Sequence, residues 1–285
     1  VYYPTTKFAN PKLANSTSWV SQGISNYNGL ELDLRRQFAQ GFQLRGVYTW
    51  SRNLDDGSAW NTSVSANTPA FVSFPGNPKL DYGPAATNIA NSAAINGTWE
   101  LPIGKGHAVW NNASPLADRV AGGWVLNGIA TLQSGFPFSP QLGYNPTGNG
   151  DSRNPARPQL NPDFHGKLYA RSQTAWFNPD AFSAPFPGTF GNTSRDSLTG
   201  PGLSDVDLSL LKNTAIGERV HAQFRVEYFN VLNHSNFTTP NAVVFSSGPT
   251  PAKPGTTASV SPTAGVITAT ATTSRQLQFA LKILF

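Results

Sequence analysis

Long segments of strict two-residue alternation constrain this chain more than anything else in it. The last is the clearest. Leu277, Phe279, Leu281, Ile283 and Phe285 alternate with Gln276, Gln278, Ala280 and Lys282, and Leu284 alone breaks the phase. Alternation of this kind predicts a β-strand with one apolar face, because successive side chains point to opposite sides of a sheet. Six further segments behave the same way. Residues 27–38 set Leu30, Leu32 and Leu34 against Glu31, Asp33 and Arg35. Residues 42–52 set Phe42, Leu44, Gly46, Tyr48 and Trp50 against Gln43, Arg45, Thr49 and Ser51. Residues 88–103 carry Ile89, Ala93, Ile95, Trp99 and Leu101 in phase. Residues 123–134 carry Trp124, Leu126, Ala130 and Leu132, with Ile129 out of phase. Residues 203–213 set Val206, Leu208 and Leu210 against Asp205, Asp207 and Ser209. Residues 219–232 set Val220, Ala222, Phe224, Val226 and Tyr228 against His221, Gln223, Arg225 and Glu227.

The lengths of these strands and of their connections narrow the fold. Ordinary strands run to about 5–6 residues, whereas a strand that crosses a bilayer at a tilt needs about 9–11. Most of the seven segments reach the longer range. Short connections near 39–41, 104–122 and 214–218 alternate with long ones at 53–87, 135–202 and 233–264. Structureless loops beyond about 12–15 residues are uncommon in soluble domains. Outer-membrane barrels combine short periplasmic turns with long extracellular loops.

Composition agrees. Charged residues make up only 12% of the 285 residues, against about 25% in ordinary globular chains. Mean hydropathy is nonetheless negative, at -0.29. A wall whose alternate residues face lipid and water gives that mixture. No run of about 18 apolar residues suggests a membrane helix. The net charge of +5 is scattered along the chain, so no basic stripe marks a nucleic-acid partner.

The expected fold is therefore all-β: the C-terminal part of an antiparallel transmembrane β-barrel, with about seven long strands, filling residues 1–285. With long loops outside, the last strand runs inward and the first enters from outside. Bacterial single-chain barrels have even strand numbers. The odd count, the lack of methionine and the lack of a signal peptide lead to the expectation that N-terminal strands, a plug and a signal peptide precede Val1.

Side-chain phase then assigns the candidate residues. Tyr48, Trp50 and Tyr228 fall near outer strand ends, and Trp99 and Trp124 near inner ends, all in apolar phase. They are expected to form two interfacial girdles at the lipid headgroups. Bulky aromatics filling a soluble sandwich core are the alternative. Glu31, Asp33, Arg35, Arg45, Asp205, Asp207, His221, Arg225 and Glu227 take the other phase and are expected to line a lumen. They serve there either as a surface for substrate or plug, or as a solvated wall of paired charges. In the long loops, Trp60, Phe71, Phe74, Tyr144, Trp176 and Phe182 are candidate ligand contacts, or packing between the loops.

Chemistry-bearing motifs are few. Cysteine is absent, which excludes disulfides and thiolate metal sites. His107, His165, His221 and His234 lack metal-ligand spacing. No nucleophile elbow, P-loop or dinucleotide fingerprint occurs. Enzymatic function, a metal and a cofactor are therefore not expected.

Several stretches resemble a known family. They are residues 25–30 (Ser-Asn-Tyr-Asn-Gly-Leu), Tyr48-Thr49-Trp50-Ser51, Gly97-Thr98-Trp99-Glu100-Leu101-Pro102, Gly122-Gly123-Trp124 with Leu132-Gln133-Ser134-Gly135, and Trp176-Phe177-Asn178-Pro179. The most specific run joins Phe190-Gly191-Asn192, Gly200-Pro201-Gly202, Asp207-Leu208-Ser209, Phe224-Arg225-Val226-Glu227 and Phe229-Asn230-Val231-Leu232-Asn233-His234. Together they resemble the Oar-like barrel of TonB-dependent outer-membrane receptors of acidobacterial type. Leu277, Phe279, Leu281, Ile283 and Phe285 look like the signal that the barrel assembly machinery reads. The resemblance implies about 22 strands around a plugged lumen and energised uptake of an unidentified bulky nutrient. The implied partners are outer-membrane lipid and a TonB complex acting through an N-terminal region. An adhesion or structural barrel without active transport, and a secreted β-sandwich binding module, are the competing readings.

Overall fold

The computed structural model describes residues 21–37, 41–57, 72–74, 76–148, 156–217 and 219–285. Its main sheet is an antiparallel meander of seven long strands: β1 (Ser25–Gln37), β2 (Phe42–Asp55), β3 (Asn91–Glu100), β4 (Trp124–Gln133), β5 (Leu203–Ala215), β6 (His221–Phe229) and β7 (Gln276–Leu284). An eighth, two-residue strand, Gly83–Pro84, pairs with the end of β2. The seven long strands lie side by side in chain order, so each segment that alternates in the sequence meets its sequence neighbours.

Register joins the apolar phases into one continuous face. Leu32 opposes Tyr48, Tyr48 opposes Ala93, and Ala93 opposes Leu132. Farther along, Gly128 opposes Leu208, Leu208 opposes Tyr228, and Tyr228 opposes Leu277. A one-residue slip at any pairing would turn a whole strand's apolar set to the wrong side. The other face collects the polar phase. Arg35 opposes Arg45, which opposes Asn96, and Asp205 opposes Thr131.

Among the described residues, neither face of this sheet is covered by a second layer. All thirteen residues of β1 and all nine of β7 are exposed. A β-sandwich would bury one face beneath a second sheet, so the sandwich reading fails. The buried core lies instead in the loops at one end of the sheet. Phe138, Leu142, Phe177, Phe182, Leu198, Val244 and Phe245 pack together there, drawn from residues 135–202 and 233–264. Small pairings tie this layer: Pro137–Phe138 with Leu198–Thr199, and Gln141–Leu142 with Val243–Ser247.

The strands end for local reasons. β6 stops where Asn230 takes a left-handed backbone, φ 47°, which is foreign to a strand. The expected segment 219–232 is shortened accordingly. At the other end of the sheet, Gly123 immediately precedes β4 with φ 71°, and a Cβ there would collide with the Asn213 carbonyl. The connection between β3 and β4 is more than a short turn, since it holds a helix, α1 (Pro115–Ala121).

Candidate functional site

Two uncovered faces and a folded layer at the long-loop end are the working surfaces of this molecule. All nine expected lumen residues lie on the polar face, as the register dictates. They do not converge on one point. Glu31, Asp33, Arg35 and Arg45 sit on β1 and β2, while Asp205, Asp207, His221, Arg225 and Glu227 sit on β5 and β6. Between them, β3 and β4 present neutral residues such as Ser92, Asn96, Thr98, Asn127 and Thr131 to the same face.

Several of these charges are paired. Arg45 forks onto Asp33 with contacts of 3.1, 3.2 and 2.6 Å. Arg225 reaches Glu227 at 3.4 Å and Gln223 at 3.1 Å. Asp207 accepts the Asn230 amide at 2.8 Å. Asp205 differs, because its Oδ1 is buried without a hydrogen-bond partner. Beside Arg35 and Arg45, with Gln37, Gln43, Asn96 and Thr98, the face dips into a cavity of about 280 Å³. Among the described residues, no three His, Asp or Glu side chains gather as a metal site.

On the apolar face, aromatic rings occupy both ends. Trp50 stands toward the long-loop end of β2, but β2 runs on to Asp55, so Tyr48 sits at the strand's middle rather than at its expected outer end; its hydroxyl donates to Asn91 Oδ1 at 2.7 Å. Tyr228 stands at the same end of β6. Trp99 and Trp124 mark the short-turn end of β3 and β4. Register also places Arg36, Arg52 and Lys212 on this face, each close to a strand end. Lys212 folds back, its ammonium 5.8 Å over the Trp124 ring and bonded to the Gly122 carbonyl. Long basic side chains behave this way at a membrane rim, where the stem covers apolar surface and the head reaches water. The middle of the face carries no charge among the described residues.

The long-loop layer is held by buried ion pairs that the sequence reading missed. Arg157 bonds Asp81 at 2.6 Å, with both side chains almost fully buried. Its Nε also donates to the Thr193 carbonyl at 2.9 Å. Arg195, 1% exposed, bonds the Asp55 carboxylate and donates to the Asp81 carbonyl at 2.8 Å. These bonds fasten the loop after β2 to the loop between β4 and β5. These loops carry charge at about the density of the rest of the chain, so no local signal marked the pairs.

A second fastener lies in the Phe229–His234 run quoted above and two residues beyond it, at Asn236. The Asn236 side chain accepts from Ser204 N at 2.8 Å and donates to Ser204 O and Thr272 Oγ1. Asn230 Nδ2 donates to the His234 and Thr273 carbonyls at 3.0 Å each. These asparagines stitch the end of β6 to the start of β5 and to the approach of β7.

The candidate loop aromatics fall in different settings. Phe182 is buried in the loop core, and Trp176 and Tyr144 pack against it. Trp176 Nε1 donates to the Thr199 carbonyl at 2.8 Å. Burial pushes the Tyr144 phenol up to about 12. Phe74 packs near Phe190, with ring centroids 6.2 Å apart. Trp60 and Phe71 lie outside the described residues. On β7, Leu277, Phe279, Leu281 and Ile283 share the apolar face, and Phe285 follows fully exposed.

An antiparallel wall of long strands, apolar on one face and charged on the other, defines a transmembrane β-barrel protein. The chain belongs to the family described as the outer membrane beta barrel domain, whose model matches residues 2–278. It resides in the bacterial outer membrane; in such barrels the apolar face of the wall meets lipid and the polar face the lumen. No curated protein and no solved structure matches it significantly. By the architecture of such barrels, the long-loop end is extracellular and the short-turn end periplasmic.

Proposed function

We propose that this chain forms part of the wall of a TonB-dependent receptor that imports a bulky nutrient by an energised route. The supporting observation is an open, charge-lined arc. Among the described residues, β1 pairs only with β2, and β7 only with β6, so the seven long strands do not close on themselves. A barrel of about eight strands closes around an interior that side chains fill. A wall that has not closed at that count suits a wider lumen, with room for cargo and a plug. The role is passage rather than catalysis. The pinned extracellular layer would present a fixed capture surface, and the charges on β1, β2, β5 and β6 would face the path inward. The barrel assembly machinery would read the apolar stripe of β7, and a TonB complex would act through a region outside this chain.

The test is direct binding of the full-length protein to the periplasmic domain of TonB, followed by calorimetry. Binding that a ligand-bearing nutrient extract strengthens is the expected result. Failure to bind in any condition overturns the import reading. Phe186 keeps the adhesion reading in view, since it is 82% exposed on the extracellular layer. Loss of cell attachment on Phe186→Ser, with TonB binding absent, would favour it.

A further inference from the structure

The connection between β3 and β4, residues 101–123, is the one short-turn-end segment with a folded element of its own among the described residues. Ser114 caps α1, its Oγ accepting Ala117 N at 3.3 Å, and Pro115 occupies the first turn. Asp118 turns inward, its Oδ1 accepting Lys105 N at 2.6 Å. The segment is therefore held in one shape. That shape displays apolar side chains. Leu116 and Val120, one helical turn apart and so on one face, are 74% and 70% exposed. Trp110 is 64% exposed and is held there in a left-handed conformation, φ 61°, which a bulky residue rarely adopts.

We infer that residues 101–123 form an in-plane anchor seated in the periplasmic leaflet of the outer membrane, with phospholipid as the occupant of the Leu116–Val120 face. The inference rests on the barrel family and its orientation, and not on the import reading. Continuity with the lipid-facing wall favours lipid over a protein partner. Trp124 belongs to the inner girdle on the apolar face, and its Nε1 donates to the Val120 carbonyl at 3.3 Å. Lys212, on the same face, bonds the Gly122 carbonyl. Both ties come from the lipid side of the wall, so they draw the end of α1 toward that side. Charge agrees. Lys105 and Arg119 belong to the segment and Lys212 bonds to it, while Asp118, the one carboxylate in the segment, is engaged inward. Exposed apolar residues on a net basic segment suit a helix lying in the headgroup layer, where phosphates meet the bases.

The chain has no cysteine, so single labels are clean within it. Leu116→Cys, Val120→Cys and, as an aqueous control on the extracellular layer, Lys167→Cys are made in the full-length protein. Each is labelled with a polarity-sensitive fluorophore and reconstituted in phosphatidylethanolamine–phosphatidylglycerol vesicles, with heat-modifiable migration confirming the barrel. Labels at 116 and 120 are expected to shift to the blue, to be quenched by nitroxide lipid, and to lose iodide quenching several-fold relative to 167. Iodide quenching equal to that at 167, without lipid quenching, overturns the inference. Protection from both quenchers also overturns it, because protein then covers the face.

Discussion

Arg195 and Asp55, 140 residues apart in sequence, meet in a buried salt bridge above the outer end of the wall. The guanidinium also donates to the Asp55 carbonyl at 2.6 Å. One side chain thus holds the exit of β2 from inside the long loop between β4 and β5. Removing one member of a buried pair strands the other charge, at a cost of about 3–5 kcal/mol. Arg195→Ala should therefore loosen the extracellular layer while leaving the barrel assembled. Limited proteolysis from outside the cell should cut the variant within residues 135–202, while heat-modifiable migration stays unchanged. Equal protease resistance in variant and parent would show that the bridge contributes nothing.

The asparagine fastener predicts a different fault. Asn236 is 1% exposed and satisfies both backbone groups of Ser204. Asn236→Ala leaves those groups unpaired, at about 1–3 kcal/mol each when buried. Asn236→Asp retains the acceptor but loses the donor. The expected order of unfolding temperatures on unboiled gels is parent, then Asp, then Ala. An alanine variant as stable as the parent would remove this role.

The wall was legible in the sequence because its information is local. Alternate residues record the face, and each strand pairs with its sequence neighbour. Even the exception had a meaning. Ile129, out of phase, lies on the lumen side opposite Asp207. The extracellular layer was not legible. Its pairs span separations such as 76 residues for Arg157 and Asp81, and no period records them. Its candidate aromatics were named, yet nothing local separated the buried Phe182 from the exposed Phe186. The helix in residues 101–123 had visible signals, Ser114 as cap and Pro115 as first residue. The loop-length argument passed over them.

Tyr144 gives a prediction at alkaline pH. Its hydroxyl is buried with no hydrogen-bond partner, and burial raises its pKa to about 12. An unfolded tyrosine ionises near 10. The folded layer therefore holds the phenolic proton more tightly. This contribution is fully present below about pH 10 and is lost as the pH rises toward 12. Tyr144→Phe should flatten the alkaline limb. At neutral pH it should stabilise the layer by about 1 kcal/mol, since an unpaired polar group is removed. Hydrogen exchange of residues 141–148 at pH 7 and pH 11 checks both signs.

The assignment of faces yields the sharpest contrast, at adjacent residues of β3. Ile95 lies on the apolar face opposite Gly46 and Ala130, and Asn96 on the polar face opposite Arg45 and Ile129. Both sit at the middle of the strand. Ile95→Arg places a guanidinium at the bilayer midplane and should cost about 2–4 kcal/mol. Asn96→Arg places the same group in the lumen beside Arg45, where water screens the two cations, and should cost less than about 1 kcal/mol. Guanidinium unfolding of the full-length protein from lipid vesicles measures both. Equal costs would mean that the faces are indistinct, and a larger cost at Asn96 would invert the wall.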